Sequence, residues 1–212
     1  MAAALNVSPN RMELIKLKQR VALAQKGHDL LKDKMDALVM ELFDALRRIQ
    51  DSRAKAIEQL KKGHGALSEC LAMMGTLETM QAARESRKEL QIEVSTRNIM
   101  GIQVPSVEVG EVERNAISRG YGLHTTSSSL DFAAKEFERA LKLLVGLAEL
   151  EATAFAIARE LESTKRRVNA LEYILIPRLR DTLKFIIMRL DEMERENFTR
   201  LKRIKAILEE RR

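Results

Sequence analysis

The feature that most constrains the fold of this sequence is an apolar stripe over residues 154–208. Its members recur at threes and fours, the spacing that aligns side chains on one face of an α-helix. The steps follow a heptad up to Leu175 and an eleven-residue repeat beyond it, so we expect the helix to unwind towards its C-terminal end. A helix this long with so narrow a stripe needs a partner helix. The stripe consists of Ala154, Ile157, Leu161, Thr164, Val168, Leu171, Leu175, Leu179, Thr182, Ile186, Leu190, Met193, Asn197, Leu201, Ile204 and Leu208.

A second stripe, over residues 14–56, is the predicted partner. Ser8 and Pro9 indicate an N-cap followed by proline at the first helical position. The two helices span about 65 Å and about 80 Å at ~1.5 Å per residue. Because a long segment separates them, we expect them to pair as an antiparallel coiled coil with both chain ends at one tip. The two heptad positions hold Leu14, Val21, His28, Met35, Leu42, Ile49 and Ala56, and Leu17, Ala24, Leu31, Leu38, Ala45 and Ser52.

The middle of the chain predicts a small head. Residues 61–87 are helical in pattern but contain three glycines, which indicates a shorter, broken helix. A period of two with β-branched residues predicts a β-hairpin at about 89–109, in which Pro105 requires a bulge or an edge position. Residues 119–129 form a predicted loop, and Ser128 with Asp131 resembles a capping box. The predicted organisation is therefore mainly α, with an N-terminal coiled-coil helix over 8–60, a head over 61–129 and a C-terminal coiled-coil helix over 130–210.

Composition agrees with long helices better than with a large globular core. Of the 212 residues, 45% are hydrophobic but only 4% aromatic, Trp is absent and 32% are charged. Cys70 is the single cysteine, so no internal disulfide can form, which suits a reducing compartment. No apolar run approaches the roughly 20 residues of a membrane span, and the N-terminus lacks a signal-peptide core. We expect a cytoplasmic protein without direct membrane insertion.

Positive charge is concentrated in two stretches. Residues 10–34 and 195–212 each carry a net charge of +4, whereas the whole chain carries +6. An antiparallel pairing brings these stretches to the same tip, where their field suits an acidic partner. The alternative is that the basic residues only solvate the end of a helix pair.

No catalytic, cofactor or metal site is expected from the residues. No glycine-rich phosphate loop is present, and the three histidines are far apart and accompany only one cysteine. His28 falls at a heptad core position, where a tolerated polar residue explains it better than a metal ligand. The carboxylates Glu172, Asp191 and Glu192 stand beside basic residues on helix faces, where helical ion pairs explain them.

Several strings of residues resemble the D subunit of the rotary A-type and V-type ATPases. They are 10–14, 25–34, 164–177 and 198–205 on the two arms, with 119–122 in the middle. The resemblance is strong over both arms and weaker between them. Met35 departs from the family, in which a basic residue stands at this position. The D subunit is the central-stalk rotor of these enzymes, the counterpart of the gamma subunit in F-type enzymes.

The resemblance implies a non-catalytic shaft that couples ATP hydrolysis or synthesis to rotation and to transport of H⁺ or Na⁺. Its tip inserts into a hexamer of catalytic and non-catalytic A and B subunits, and its head joins the small F subunit and an adaptor on the membrane ring. The complex is peripheral to the cell membrane on its cytoplasmic side. We expect the tip residues Arg11, Lys18, Lys32, Lys34, Arg200, Lys202, Arg203 and Lys205 to face the hexamer bore. Contacts with the F subunit or with the lower rim of the hexamer are expected at Ile92, Val94, Ile102, Val104, Arg166 and Arg167, although Arg166 and Arg167 are equally well explained as a solvated helix flank.

Two other classes of protein fit parts of the pattern. A basic coiled-coil module that binds nucleic acid would explain a pI near 9.5. Against it, basic residues alternate with acidic ones, and Phe198 is the only aromatic residue in either basic stretch. A homo-oligomeric scaffold would pair the stripes between chains instead of within one chain. Sedimentation separates this scaffold from a shaft, because intramolecular pairing predicts a monomer on dilution.

Overall fold

The computed structural model describes residues 8–86, 90–110, 112–115, 119–122 and 126–210, and it divides into two compact units. The terminal unit contains residues 1–37 and 161–212, and the central unit contains residues 38–160. A mainly helical fold with a hairpin between two long helical arms confirms the predicted fold class. In chain order the elements are α1 (Arg11–Met74), α2 (Thr76–Glu85), β1 (Ile92–Ile99), β2 (Ile102–Val109), α3 (Ser128–Ala170), a π-helical segment (Leu171–Leu175) and α4 (Ile176–Glu210).

The heptad of the N-terminal arm forms the packed face of α1. Every residue of the two predicted heptad positions is buried or half-buried, and Leu38 has no exposed surface. The start of α1 differs from the prediction, because the helix begins two residues later than Pro9 would place it. Asn10 provides the cap instead of Ser8, with its side-chain Oδ1 3.5 Å from the amide nitrogen of Met12 and its carbonyl accepting from the amide of Leu14 at 3.0 Å.

In the terminal unit, α1 packs antiparallel against α4. Leu17 forms a core cluster with Leu179 and Ile186, all three of them buried. The direction follows from two contacts: Arg11 pairs with Glu194 on α4, and Nε2 of His28 lies 3.7 Å from a carboxylate oxygen of Glu172 in the π-helical segment. Residues later in α1 contact residues earlier in the C-terminal arm, as expected for two antiparallel helices.

The π-helical segment lies directly before Pro177. The amide of Ile176 donates to the carbonyl of Leu171, five residues back, so the turn is wider by one residue than an α-helical turn. This shifts the apolar stripe by one position: Leu175 is 43% exposed and Ile176 is buried in its place. An inserted residue therefore accounts for the break in the heptad at Leu175, the seven-residue spacing resumes after it, and Leu175 itself is not a core position. A wide turn also suits a proline, whose ring clashes with the carbonyl four residues back in a regular helix.

In the central unit, α1 packs against α3 with little room between the helices. The side-chain amide of Gln59 donates to a carboxylate oxygen of Glu136 at 2.6 Å. Gly63 faces the ring of Phe137, and His64 contacts the same ring edge-on at 5.4 Å between centroids. Of the glycines that predicted a broken helix, Gly63 and Gly65 lie within α1, and only Gly75, with a φ of 86°, separates α1 from α2. Consequently α1 continues past residue 60 to Met74.

The hairpin of the central unit has continuous antiparallel register from Ile92 paired with Val109 to Ile99 paired with Ile102. Met100 and Gly101 form its two-residue turn with φ of 51° and 84°, the positive values of a type I′ turn. Asn98 supports the turn, because its Oδ1 accepts from the amide of Gly101 at 2.8 Å. The unbroken register means that Pro105 occupies an edge position without a bulge.

The start of α3 corrects the predicted capping box. Ser127 caps the helix: its Oγ accepts from the amide of Ser129 at 3.4 Å, and its carbonyl accepts from the amide of Leu130 at 3.0 Å. Asp131 instead directs its carboxylate towards Arg119 and Tyr121. A second packed cluster lies nearby, formed by fully buried Cys70 with Ala82, Tyr121 and Leu130.

Candidate interaction surfaces

The eight basic residues predicted for the tip all belong to the terminal unit. Those on α4 begin six residues beyond Glu194, the partner of Arg11, and continue to Lys205. Lys34 lies 23 positions after Arg11 on α1, about 35 Å away at ~1.5 Å per residue. The basic residues therefore extend along the unit for about 50 Å and do not form a single compact patch.

Local partners hold several of these cations on the helix surface. Arg200 pairs with Glu196 at 3.7 Å, and Lys205 pairs with Glu209 at the same distance. The ammonium group of Lys202 lies 4.8 Å from the centroid of the Phe198 ring. Such exposed i,i+4 pairs contribute little to stability, about 0.3–0.5 kcal/mol each, so these side chains are available to an external acidic partner. Lys18, Lys32 and Arg203 are exposed, and Lys34 is half-buried.

The last part of α4 carries an apolar stripe that nothing in the described part of its own unit covers. The stripe is half-buried at Leu190 and exposed from Met193 onwards. Leu201 is 65% exposed, Ile204 54% and Leu208 60%. These residues continue the spacing by which Leu179 and Ile186 contact α1, but they lie beyond the level of Arg11, where α1 begins. An exposed apolar stripe of this length marks a surface for interaction with another protein.

Residues predicted to contact the F subunit fall into an accessible and an inaccessible group. Val94 is 67% exposed and Ile92 47%, on one face of the hairpin. Val104 is fully buried on the opposite face, and Ile102 is half-buried. A partner of the hairpin would therefore touch Ile92 and Val94. Arg166 and Arg167 are exposed in the terminal unit, and Arg166 pairs with Glu162 at 3.5 Å.

A buried ionic cluster in the central unit was not predicted from the sequence. The side chain of Arg119 is 5% exposed, and its guanidinium group donates to Glu138 through Nη2 at 3.0 Å and to Asp131 through Nη1 at 3.0 Å. Arg114 donates to Glu138 from its backbone amide at 3.1 Å and from Nε at 3.3 Å. Tyr121 donates its hydroxyl to Asp131. Two cations and two anions thus satisfy one another and connect the segment around residue 120 to α3.

Burial and hydrogen bonding shift the pKa values of two groups in this cluster, Glu138 and Tyr121. Burial by itself raises the pKa of Glu138, but hydrogen bonds from Arg119 and Arg114 outweigh it and hold that pKa below its usual value of 4.5. Burial and the hydrogen bond to Asp131 raise the pKa of Tyr121 to about 12. At neutral pH Glu138 is therefore ionised and accepts hydrogen bonds, whereas Tyr121 is protonated and donates one.

Neither a metal cluster nor a membrane-spanning helix is found in the described part of the chain. Within those residues, no three His, Cys, Asp or Glu side chains lie close enough together to hold a metal ion. Over the same residues, no helix combines the length and apolar character that crossing a membrane requires.

Comparison with known proteins assigns the chain to a family. The family model for the D subunit of ATP synthase matches residues 13–206, which include both helical arms and the hairpin. The chain belongs to the family of ATP synthase D subunits. It is 48% identical to a Pyrococcus horikoshii protein over 211 residues, covering 100% of this chain and 99% of the relative. A Thermococcus kodakarensis protein is 51% identical over 215 residues, again covering 100% and 99%. A Methanosphaera stadtmanae protein is 46% identical over 205 residues, covering 97% and 96%. All three are named as the D subunit of an A-type ATP synthase.

Proposed function

We propose that this chain is the central rotor shaft of an A-type or V-type rotary ATPase. It couples ATP hydrolysis or synthesis in a catalytic hexamer to rotation of a membrane ring and to transport of H⁺ or Na⁺. In this role it is a non-catalytic component on the cytoplasmic side. Its partners are the A and B subunits of the hexamer, the small F subunit of the stalk and an adaptor on the ring. Membership of the D-subunit family supports the assignment to an ATP synthase complex.

The observation that carries the proposal is the end of α4. From Met193 to Leu208 its stripe is exposed, and the helix surface around it carries Arg200, Lys202, Arg203 and Lys205. An apolar stripe with a basic surround fits a bore that is apolar at the point of contact and acidic around it. A single helix of 16 residues beyond the paired region spans about 24 Å at ~1.5 Å per residue, which suits insertion into a central opening.

The hairpin is the proposed site for the F subunit or for the lower rim of the hexamer. Ile92 and Val94 offer an exposed apolar face on one strand. Arg166 and Arg167, on the terminal unit, are the charged candidates for the same partners. Deleting residues 89–109 is expected to weaken binding of the F subunit or to change ATP turnover. Normal binding of that partner together with normal turnover would refute this role of the hairpin.

Reconstitution with the catalytic hexamer tests the shaft proposal. The full chain is mixed with the hexamer of its source, with and without the F subunit, and the products are weighed by native mass spectrometry while ATPase rate is recorded. We expect one copy of this chain per hexamer and a changed ATPase rate. Absence of any complex at low salt would refute the proposal.

A charge variant then tests the proposed tip. Neutralising the four basic residues of α4 to Gln removes four positive charges from the proposed insertion site, and it is expected to weaken assembly or to uncouple ATPase activity. The matched control removes the same charge from exposed positions of α1 in the central unit. Equal effects of the two variants at moderate salt would exclude specific recognition at the tip. The test variant changes Arg200, Lys202, Arg203 and Lys205, and the control changes Arg47, Arg48, Arg53 and Lys55.

A further inference from the structure

The outer edge of β1 is open. The sheet has only two strands in the described part of the chain, so β1 has a neighbour on one side only. Residues 92–98 are exposed along their whole length, and only Ile99 is half-buried. The strand contains no proline, and its β-branched residues favour an extended conformation. An exposed edge of this kind is a template for pairing with another strand.

The turn determines which backbone groups of β1 point to that edge. In a two-residue type I′ hairpin the closing pair, here Ile99 and Ile102, exchanges both ladder hydrogen bonds. Hydrogen-bonded and non-bonded pairs then alternate, which places Pro105 at a non-bonded position opposite Thr96, where its missing N–H is not needed. The free amides and carbonyls that face the open edge are consequently those of Ile92, Val94, Thr96 and Asn98.

One face of β1 carries two charged side chains, Glu93 and Arg97. Glu93 lies directly opposite Glu108, a like-charge pair that destabilises the hairpin. Arg97 lies opposite Val104. Within the described residues, neither Glu93 nor Arg97 belongs to an ion pair. The two charges have opposite sign and stand symmetrically about Ser95, so the strand is complementary in charge to an antiparallel copy of itself.

We propose that β1 pairs antiparallel with β1 of a second copy of this chain, in a register centred on Ser95. This register sets Glu93 opposite Arg97 of the second copy and Arg97 opposite its Glu93, at non-bonded positions where side chains lie closest. Val94 then exchanges ladder hydrogen bonds with Thr96 of the second copy, through the groups that face the open edge. The pairing is two-fold symmetric, so each favourable contact occurs twice. It also places an arginine beside the Glu93 and Glu108 pair.

This pairing concerns the chain outside a rotary complex and depends on the hairpin alone. It leaves the helical stripes of both units paired within one chain. The isolated full chain is therefore the material for the tests, and their outcome is independent of whether the chain binds a catalytic hexamer.

Disulfide trapping tests the register. Ser95→Cys is made in a Cys70→Ala background, so that it is the single cysteine. In the proposed dimer the two copies of residue 95 face each other with Cα atoms about 4.5 Å apart, within reach of a disulfide. Asn98→Cys is the control, because it is equally exposed on β1 but its two copies would lie about 20 Å apart. We expect a covalent dimer under mild oxidation from Ser95→Cys alone; equal cross-linking of both variants, or of neither, would overturn the proposal.

Charge reversal tests the recognition. Glu93→Arg sets two arginines opposite each other at both symmetric positions, and it is expected to weaken dimerisation by about tenfold in sedimentation equilibrium. Within one chain the same change places an arginine opposite Glu108, so loss of the dimer cannot arise from a weakened hairpin. Combining Glu93→Arg with Arg97→Glu restores both charge pairs and is expected to restore the dimer. A dissociation constant that does not change with the single variant, or is not restored by the double variant, would overturn the proposal.

Discussion

Replacing Arg119 with methionine removes the central cation of the buried cluster in the central unit. The Arg119 side chain is 5% exposed, and its guanidinium group donates hydrogen bonds to two carboxylates on α3, those of Asp131 and Glu138. Methionine fills a similar length of side chain without a charge, so the two carboxylates would lose their main partner. Removing one member of a buried ion pair is far more costly than removing a surface pair, because the remaining charge stays away from water.

The structure places the cost near the lower end of the range for buried pairs. Breaking such a pair costs about 3–5 kcal/mol. Glu138 is only 9% exposed but keeps two hydrogen bonds from Arg114. Asp131 is 32% exposed and keeps the hydroxyl of Tyr121. We therefore expect Arg119→Met to lower the free energy of unfolding of the central unit by about 3 kcal/mol.

Tyrosine fluorescence during urea unfolding measures this loss in the right unit. The chain has no Trp and two tyrosines, Tyr121 in the central unit and Tyr173 in the terminal unit. A Tyr173→Phe background leaves Tyr121 as the single reporter. The control is Lys62→Met, which removes one member of an exposed pair with Glu58 at 2.9 Å in the same unit and is expected to cost far less. Equal losses from the two variants would refute the reasoning.

The stability of Arg119→Met is also expected to depend on pH differently from that of the wild type. The pKa of Glu138 is lower in the folded chain than its usual value of 4.5, so its ionised form contributes stability above that value. That contribution is lost as the pH falls through the folded pKa. Arg119→Met removes the largest of the interactions that lower this pKa. The stability of the variant therefore falls less than that of the wild type when the pH is lowered. The difference between wild type and variant is expected to shrink as the pH falls below 4.5, and a difference that stays constant there would contradict the assignment.

Two further predictions concern the terminal unit and use urea unfolding followed by circular dichroism. Thr164 is fully buried with no hydrogen-bond partner for its hydroxyl among the described residues, whereas Thr182 donates to a backbone carbonyl at 2.7 Å. Thr164→Val is expected to stabilise by about 1 kcal/mol and Thr182→Val is not; a gain from both would show that the unsatisfied hydroxyl is not the cause. Deleting Leu175 together with Pro177→Ala removes the extra residue of the π-helical segment and is expected to cost less than about 1 kcal/mol, because the downstream stripe stays in phase. Deleting Lys184 rotates that stripe out of phase and is expected to cost several times more, so equal costs would argue against an inserted residue.

Periodicity made the helical pairing predictable, and it also shows where prediction fails. Side chains spaced by three and four must share a helix face, so the heptad of α1 and its partner stripe followed from the sequence. The one-residue shift of the stripe before Pro177 could not be predicted, because Leu175 and Ile176 are both apolar and either one continues the stripe. Only backbone hydrogen bonding, from Ile176 to Leu171, distinguishes the two. The hairpin was predictable from alternation and from the glycine at its turn.

The ionic cluster was not predictable, because its members have no common period. Arg114 and Arg119 lie outside the long helices and the hairpin, and they meet Asp131 and Glu138 only in the folded chain. One signal was available: Asp131 and Glu138 are seven residues apart, which places two carboxylates on the same face of a helix. Two like charges on one face are stabilised by cations from elsewhere in the chain. The sequence does not identify which cations pair with these carboxylates.

The exposed end of α4 has a consequence for the thermodynamics of any partner that covers it. A free peptide of this length must first form a helical nucleus, and a nucleation parameter of about 10⁻³ corresponds to about 4 kcal/mol. Residues 195–210 avoid that penalty, because their helix continues from turns already held by Leu179 and Ile186 against α1. A partner therefore meets a preformed helix, and burial of Leu201, Ile204 and Leu208 should appear in calorimetry as a negative change in heat capacity.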